Sequence, residues 1–152
     1  MRYNMYTVSR EDIEGFKNDL PETVLTNCGK PGFFILGAAD PENNLVGMTQ
    51  FHIGMLPDGE CVSDVVYVFV EEDSRGRGAA SRMLSQVHAI LKKSGVDKSM
   101  TVLGKKQSEK QLFTENGYIF MKPDKESIDF FKELHQEVSP MKSEQGIYWV
   151  NR

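Results

Sequence analysis

Cysteine is scarce in this sequence, and so are long apolar runs and blocks of basic residues. Cys28 and Cys61 are its only cysteines, too few for the disulfide framework of a small secreted domain. No apolar run reaches the roughly 18 residues of a transmembrane helix, and the first residues lack the apolar segment of a signal peptide. The net charge of −4 disfavours nucleic acid or an anionic membrane as the main partner. We therefore expect a cytoplasmic protein with reduced thiols.

The histidines lie far apart in the sequence. His52, His88 and His135 have no second ligand at the spacing that metal sites use, so we predict no metal. Cys61 begins an apolar segment, and we find no histidine and orienting acid that would activate it as a nucleophile. Cys61 is therefore predicted to be a small core residue.

The remaining composition is that of one globular domain over residues 1–152, with 39% hydrophobic and 26% charged residues and no repeat or linker. Seven segments have strand patterns: Met5–Val8, Phe33–Ala39, Leu45–Ile53, Cys61–Val70, Ser99–Leu103, Tyr118–Met121 and Ile147–Val150. Helices are predicted after a Ser9–Asp12 capping box, over Ser81–Lys93, before Asn116, and around 124–139. Hairpins and crossovers together predict an α/β domain with a mixed sheet.

A glycine-rich turn lies between an apolar strand and an amphipathic helix. Cys61–Val70 reads as a strand buried on both faces, because its apolar run is nearly continuous. Gly76 and Gly78 then lead into a helix start, which binds anions through its unpaired N–H groups and its dipole. The turn lacks the lysine of a P-loop, and Ser81 replaces the third glycine of a dinucleotide-binding motif. Two glycines alone favour an ordinary loop.

The wider segment has a more specific pattern. Residues 70–84, VEEDSRGRGAASRML, resemble the acetyl-CoA-binding motif V-x-x-x-x-Q/R-x-x-G-x-G/A of the GNAT superfamily of N-acetyltransferases. Residues 112–118, LFTENGY, are similar to the L-Y-x-x-x-G-F/Y segment of that family. The order and lengths of the elements fit the family from Met5 to Phe120. Two separated motifs in the right order argue against chance agreement.

The resemblance implies the single-domain GNAT acyl-CoA N-acyltransferase fold, a central mixed, splayed sheet flanked by helices. It implies acetyl-CoA as co-substrate and transfer of its acetyl group to a primary amine of a small molecule or protein. The pantetheine arm would pair with backbone groups of Val68, Phe69 and Val70. The backbone amides that would surround the pyrophosphate are those of Arg75, Gly76, Arg77, Gly78, Ala79, Ala80 and Ser81.

This chemistry needs a group that accepts a proton, because a lysine-like amine with a pKa of about 10.4 arrives protonated. By alignment on the family motif, Asp64 lies near the glutamate base of histone-type members, which implies a catalytic role. Asp64 is also the only carboxylate within Val62–Val70. Two interpretations stay open: a general base acting through water, or a strand-end aspartate that faces solvent or satisfies a turn.

One residue departs from the family pattern at the site. The tyrosine that protonates the leaving thiolate in many members is replaced by Phe113, with Tyr118, Tyr148 and Ser108 as candidate substitutes. The alternative function is therefore a CoA-binding regulatory or sensor module with weak or no catalysis. A third interpretation is transfer of a longer or different acyl group.

A second departure is an insertion before the last strand, where an extra helix is predicted around 124–139. This helix would shape the acceptor pocket, pack on the core, or form a homodimer surface through Phe130, Phe131 and Leu134. The acceptor amine is not encoded in a motif. We expect its determinants in this insertion and in the loop of residues 20–32.

Overall fold

The computed structural model describes residues 2–55, 59–96, 98–103, 107–121 and 146–151. These residues form seven strands, four helices and one short 3-10 turn. In chain order the elements are β1 (Asn4–Thr7), α1 (Arg10–Gly15), α2 (Glu22–Asn27), β2 (Phe33–Ala39), β3 (Leu45–Met55), β4 (Cys61–Val70), the 3-10 turn (Glu72–Ser74), α3 (Ala79–Lys93), β5 (Lys98–Leu103), α4 (Gln107–Glu115), β6 (Ile119–Met121) and β7 (Gly146–Asn151).

The strands form one sheet in the order β1-β2-β3-β4-β5-β7-β6. β4 and β5 run parallel, and the other neighbouring strands run antiparallel. The parallel pair follows from the crossover through α3, since parallel neighbours need a long connection. The predicted α/β fold with a mixed sheet is confirmed, and so is the predicted antiparallel hairpin of β2 and β3.

The first helix begins at the predicted capping box. Ser9 Oγ accepts a hydrogen bond from the Asp12 N–H (3.1 Å), and Asp12 Oδ2 accepts one from the Ser9 N–H (3.1 Å). These bonds satisfy two N–H groups that a helix start leaves unpaired. The chain then covers one face of the sheet, where Leu20, Val24 and Met48 form a buried cluster.

Helix α3 packs on the opposite face of the sheet. It begins at Ala79, two residues before the predicted Ser81, so both alanines lie in its first turn. Burial of a large apolar side chain stabilises a fold by about 1.5–3 kcal/mol, and α3 buries a stripe of four at helical spacing: Met83, Leu84, Val87 and Leu91. This stripe fixes the start of α3 against the sheet.

Gly47 of β3 allows α3 to approach closely. A Cβ at Gly47 would lie 2.8 Å from the Phe69 carbonyl oxygen and 3.0 Å from Met83 Cε. The carbonyl is part of a paired strand and cannot move aside cheaply. We expect Gly47→Ala to lower the free energy of unfolding by about 1–3 kcal/mol, the usual effect of overpacking a core. Urea unfolding followed by circular dichroism measures this change.

Gly15→Ala is the matched control for this variant. A Cβ at Gly15, the exposed last residue of α1, would meet nothing within 4 Å. Alanine is favoured over glycine in a helix, so the control should be as stable as the unchanged chain or slightly more stable. Equal unfolding midpoints for the two variants would show that the close approach at Gly47 has no energetic effect.

The insertion before β7 is the main segment without a structural account. The extra helix predicted around 124–139, with the surface of Phe130, Phe131 and Leu134, lies outside the described residues. Its presence and role stay predictions. Among the helices that are described, none has the length and apolar character needed to cross a membrane.

Candidate active site

The neighbouring strands β4 and β5 diverge part of the way along their length. Residues 62–64 of β4 pair with residues 98–100 of β5, and within the described residues their pairing ends there. β4 continues to Val70 while paired with β3, and β5 continues to Leu103 while paired with β7. A wedge-shaped opening, called the cleft below, therefore lies between β4 and β5. The splay implied by the sequence is present.

The far end of β4 leads through the 3-10 turn into the loop before α3. Gly76 and Gly78 in this loop have positive φ values, 78° and 84°, which glycine adopts freely and other residues rarely adopt. Gly78 is the N-cap of α3. A Cβ at either glycine would meet nothing within 4 Å, so the loop presents open space beside its backbone.

Backbone N–H groups at this helix start are available to an anion. Within the described residues, the N–H groups of residues 76–81 have no backbone carbonyl partner, and the helical bonds begin with Arg82 N–H to Gly78 O (3.0 Å). The helix dipole adds roughly half a unit of positive charge at this end. The first turn contains no acidic residue, and Arg77 lies exposed beside it. A pyrophosphate fits these features.

Two hydrogen bonds tie this loop and the start of α3 to distant parts of the chain. Tyr3 OH donates to the Arg77 carbonyl (3.4 Å), and Asn116 Nδ2, just after α4, donates to Ser81 Oγ (3.2 Å). Tyr3 is buried. Sequence reasoning missed it as a functional residue, because an isolated tyrosine before the first strand carries no motif.

The three β4 residues predicted to pair with the pantetheine arm lie beyond Asp64, the last residue of β4 that pairs with β5. Val68, Phe69 and Val70 therefore lie along the cleft. Val70 differs from the other two, because Arg75 Nε donates a hydrogen bond to its carbonyl (3.0 Å). The Arg75 amide, which the resemblance places at the pyrophosphate, donates to the Glu72 carbonyl (3.3 Å), while the Arg75 side chain occupies one backbone group of β4.

Asp64 lies where the cleft closes. Its side chain has no exposed surface and it stands within β4, so it neither faces solvent nor belongs to a turn. Its register partner on β3 is His52, whose ring centroid lies 4.5 Å from that of Phe33. Opposite residues on adjacent strands have Cβ atoms about 5 Å apart, so an imidazole and a carboxylate are neighbours here. Sequence reasoning missed this pair because strand register is not visible in a single sequence.

Phe113, which stands in place of the usual tyrosine, is buried and packs perpendicular to the Tyr118 ring, with 5.0 Å between the ring centroids. Tyr118 is also buried, and its phenol oxygen lies 2.8 Å from His88 Nε2 and 2.7 Å from Ser99 Oγ. Its hydroxyl therefore links α3 to β5 in an internal network. The side chains of the other candidate substitutes lie outside the described part of the chain: Ser108 and Tyr148.

Cys61 is exposed, so its prediction as a core residue is wrong. It is the first residue of β4 and pairs with Met55, which is 64% exposed, at a strand end that the core does not reach. Cys28 is half-buried, and this burial raises the pKa of its thiol, an effect that Arg10 partly opposes. A raised pKa leaves less of the nucleophilic thiolate. In the described ranges, no three metal-ligating side chains lie together.

Two buried polar side chains hold α2 against the face of the sheet that carries Asp64. Asn27 Nδ2 donates to Gln50 Oε1 (3.2 Å), and Gln50 Nε2 donates to the Val24 carbonyl (3.0 Å). Gln50 lies two residues before His52 on β3, so the two share a face. The segment of residues 20–32, expected to contribute to acceptor choice, is thereby fixed beside this face.

The sequence profile of the acetyltransferase (GNAT) family matches residues 2–118, which include both sequence motifs and most of the elements described above. Among curated proteins, no sequence is significantly similar to this chain. The match to the family profile therefore covers the cleft, the loop before α3 and Asp64.

Three solved structures show the same fold. Arabidopsis thaliana NAA60 in complex with a bisubstrate analogue aligns with a TM-score of 0.70 and 10% identity, over 99% of this chain and 98% of that chain. A GNAT family acetyltransferase from Elizabethkingia anophelis with acetyl-CoA bound gives 0.68 and 14%, over 99% and 98%. The PaiA N-acetyltransferase from Thermoplasma acidophilum in complex with coenzyme A gives 0.65 and 12%, over 100% of both chains. At these identities the likeness shows the fold alone.

Proposed function

The chain belongs to the acetyltransferase (GNAT) family, and we propose that it moves an acetyl group from acetyl-CoA to a primary amine of a small molecule or protein. The arrangement along β4 supports this proposal most directly. Asp64 lies at the closed end of the cleft, and the loop before α3 follows the other end of the strand. About 20 Å of extended strand separates Asp64 from Val70. Acetyl-CoA has a matching layout, with a linear arm between its thioester and its pyrophosphate.

The residues along the cleft fit acetyl-CoA as co-substrate. The N–H groups of residues 76–81 would hold the pyrophosphate, and backbone groups of Val68, Phe69 and Val70 would pair with the amides of the arm. Since Arg75 already donates to the Val70 carbonyl and the Phe69 carbonyl points toward Gly47 of β3, we expect Val68 to contribute most. The bound co-substrate supplies a thioester carbon that an amine can attack.

Asp64 is proposed as the group that accepts the proton of the amine. A primary amine with a pKa of about 10.4 is mostly protonated at neutral pH and cannot attack until it loses that proton. Because Asp64 has no exposed surface, the proton would reach its short side chain through a bridging water. The half-buried His52 beside it is the neighbouring titratable group on β3.

The leaving thiolate needs less assistance than the amine. A thiol has a pKa of about 8.5, so its anion is a tolerable leaving group without an acid. Phe113 has no proton to give, and the Tyr118 hydroxyl is engaged with His88 and Ser99. We therefore expect slower chemistry than an enzyme with the usual tyrosine would show.

Phe113 and Tyr118 also favour a second candidate function, a CoA-binding regulatory or sensor module. Such a module would bind coenzyme A through the loop before α3 and the cleft but would catalyse acetyl transfer weakly or not at all. Phe113 is the observation that supports it, because the group it replaces is a proton donor in many family members. Binding and turnover must therefore be measured separately.

An acetyl-transfer assay over a panel of amines decides between the two. We expect acceptor-dependent release of free coenzyme A thiol, with a mass increase of one acetyl group on at least one acceptor among polyamines, amino sugars, lysine peptides and free peptide N-termini. Parallel reactions with longer acyl-CoA thioesters test the acyl group. Tight coenzyme A binding by calorimetry with no transfer to any acceptor would support the sensor, and absence of both would contradict both functions.

A further inference from the structure

Two buried threonine hydroxyls bind the backbone of β4 where the cleft begins. Thr101 Oγ1 of β5 donates to the Val65 carbonyl (3.0 Å), and Thr49 Oγ1 of β3 donates to the Tyr67 carbonyl (2.9 Å). Both threonines are almost fully buried, at 2% and 0% exposure. Side chains from both neighbouring strands thus form hydrogen bonds to β4 within the three residues 65–67.

A β-bulge lies between the Val65 and Tyr67 carbonyls, which accept these two hydrogen bonds. The register of β3 and β4 steps from Gln50↔Tyr67 to Phe51↔Val65, so Val66 is an extra residue on β4. A bulge interrupts the ladder and leaves nearby backbone groups in need of other partners. The carbonyls on each side of Val66 are the ones that accept from the threonine hydroxyls.

Val65 is also the first residue of β4 beyond its last pair with β5. There the Thr101 side chain, rather than a further backbone pair with β5, donates to the Val65 carbonyl. β5 is therefore free to diverge at this residue without leaving a buried acceptor unpaired. The Thr101 hydrogen bond therefore fixes the position on β4 at which the cleft begins.

We infer that Thr49 and Thr101 are positioning residues, which fix the bulge and the opening of the cleft and thereby set the register of the pantetheine arm relative to Asp64. The inference rests on the proposed function. Moving the bulge by one residue would shift the arm by about 3.3 Å along β4 and reverse which groups face it. Misplacement of a reacting group by about 1 Å already lowers rates by roughly a hundredfold.

Thr101→Val and Thr101→Ser separate the hydroxyl from the shape of the side chain. We expect Thr101→Val to lower kcat/KM for acetyl-CoA by about ten- to a hundredfold, and Thr101→Ser to stay within about threefold, on the order of one weakened hydrogen bond. Thr49→Val and Thr49→Ser repeat the comparison from the other strand, so the inference stays testable if one valine variant fails to fold. Urea unfolding of each variant measures stability separately.

A binding experiment gives a readout that does not depend on turnover. Calorimetry compares coenzyme A with 3′-phospho-ADP, which keeps the pyrophosphate but lacks the pantetheine arm. We expect the valine variants to lose about tenfold in affinity for coenzyme A, the size of one lost hydrogen bond to a buried group, and to bind 3′-phospho-ADP unchanged. Equal losses for both ligands, or lower stability with unchanged kcat/KM and affinity, would overturn the inference.

Failure of the proposed function would look different. If the wild-type protein binds coenzyme A but transfers no acetyl group, only the transferase proposal is contradicted. The comparison of coenzyme A with 3′-phospho-ADP would still decide the role of the threonines. An unchanged chain that binds coenzyme A no better than 3′-phospho-ADP would overturn the inference, since no arm would then occupy the cleft.

Discussion

Gly78→Glu is expected to abolish binding of coenzyme A while leaving the chain folded. A side chain at Gly78 would extend into the open space beside the first turn of α3, where we place the pyrophosphate. A carboxylate about 4 Å from one phosphate charge adds roughly 4 kcal/mol of repulsion near a protein surface, which corresponds to a loss on the order of a thousandfold in affinity. Isothermal titration with coenzyme A measures this loss.

The fold should tolerate this change. The φ of 84° at Gly78 makes any other residue unfavourable there by about 1–2 kcal/mol. A negative charge at a helix start recovers about 0.3–1 kcal/mol through the helix dipole. The variant should therefore unfold cooperatively at a slightly lower temperature, which distinguishes a blocked site from a lost structure.

Gly95→Glu is the matched control. Gly95 follows the other end of α3, has a φ of 76°, and a Cβ there would also meet nothing within 4 Å. The Gly95→Glu variant therefore introduces the same charge and a similar backbone strain roughly 25 Å away along the helix. We expect its affinity for coenzyme A to be unchanged. Undiminished binding in Gly78→Glu itself would count against the entire assignment of this loop.

The fold was predictable because its signals are local or carried by two motifs. The valine-rich run of β4, the glycines before α3 and the helical spacing after them each depend on neighbours in the sequence. The order of these elements then limits the possible topologies, since a strand, a crossover helix and a parallel strand form one compact unit. The mixed sheet and the loop before α3 follow from that unit.

The details of the site were not predictable, because they depend on register between strands. His52 opposite Asp64 and the threonines around Val66 lie on different strands, and one bulge decides which residues meet. A shift of one residue would reverse every facing side chain. The prediction that Cys61 is a core residue was wrong for a related reason. An apolar run shows that a strand is buried, but it does not show where along the strand the core ends.

Asp64→Asn should lower kcat by about a hundred- to ten-thousandfold, the range typical of a lost general base. Asparagine has nearly the same shape as aspartate but cannot accept the proton of the amine. Since Asp64 lies at the closed end of the cleft, away from the loop before α3, affinity for coenzyme A should stay within about threefold of the wild-type value. Steady-state kinetics with the best acceptor and calorimetry with coenzyme A give the two quantities.

The pH dependence separates a base from a structural residue. At pH values approaching the amine pKa of about 10.4, more acceptor is already neutral, so the defect of Asp64→Asn should shrink as the pH rises. Ser63→Ala is the matched control, because Ser63 is equally buried on β4 and its side chain points to the opposite face. It should keep kcat at every pH. A defect in Asp64→Asn that stays constant with pH, accompanied by lower stability, would assign Asp64 to structure, and full activity would remove it from the mechanism.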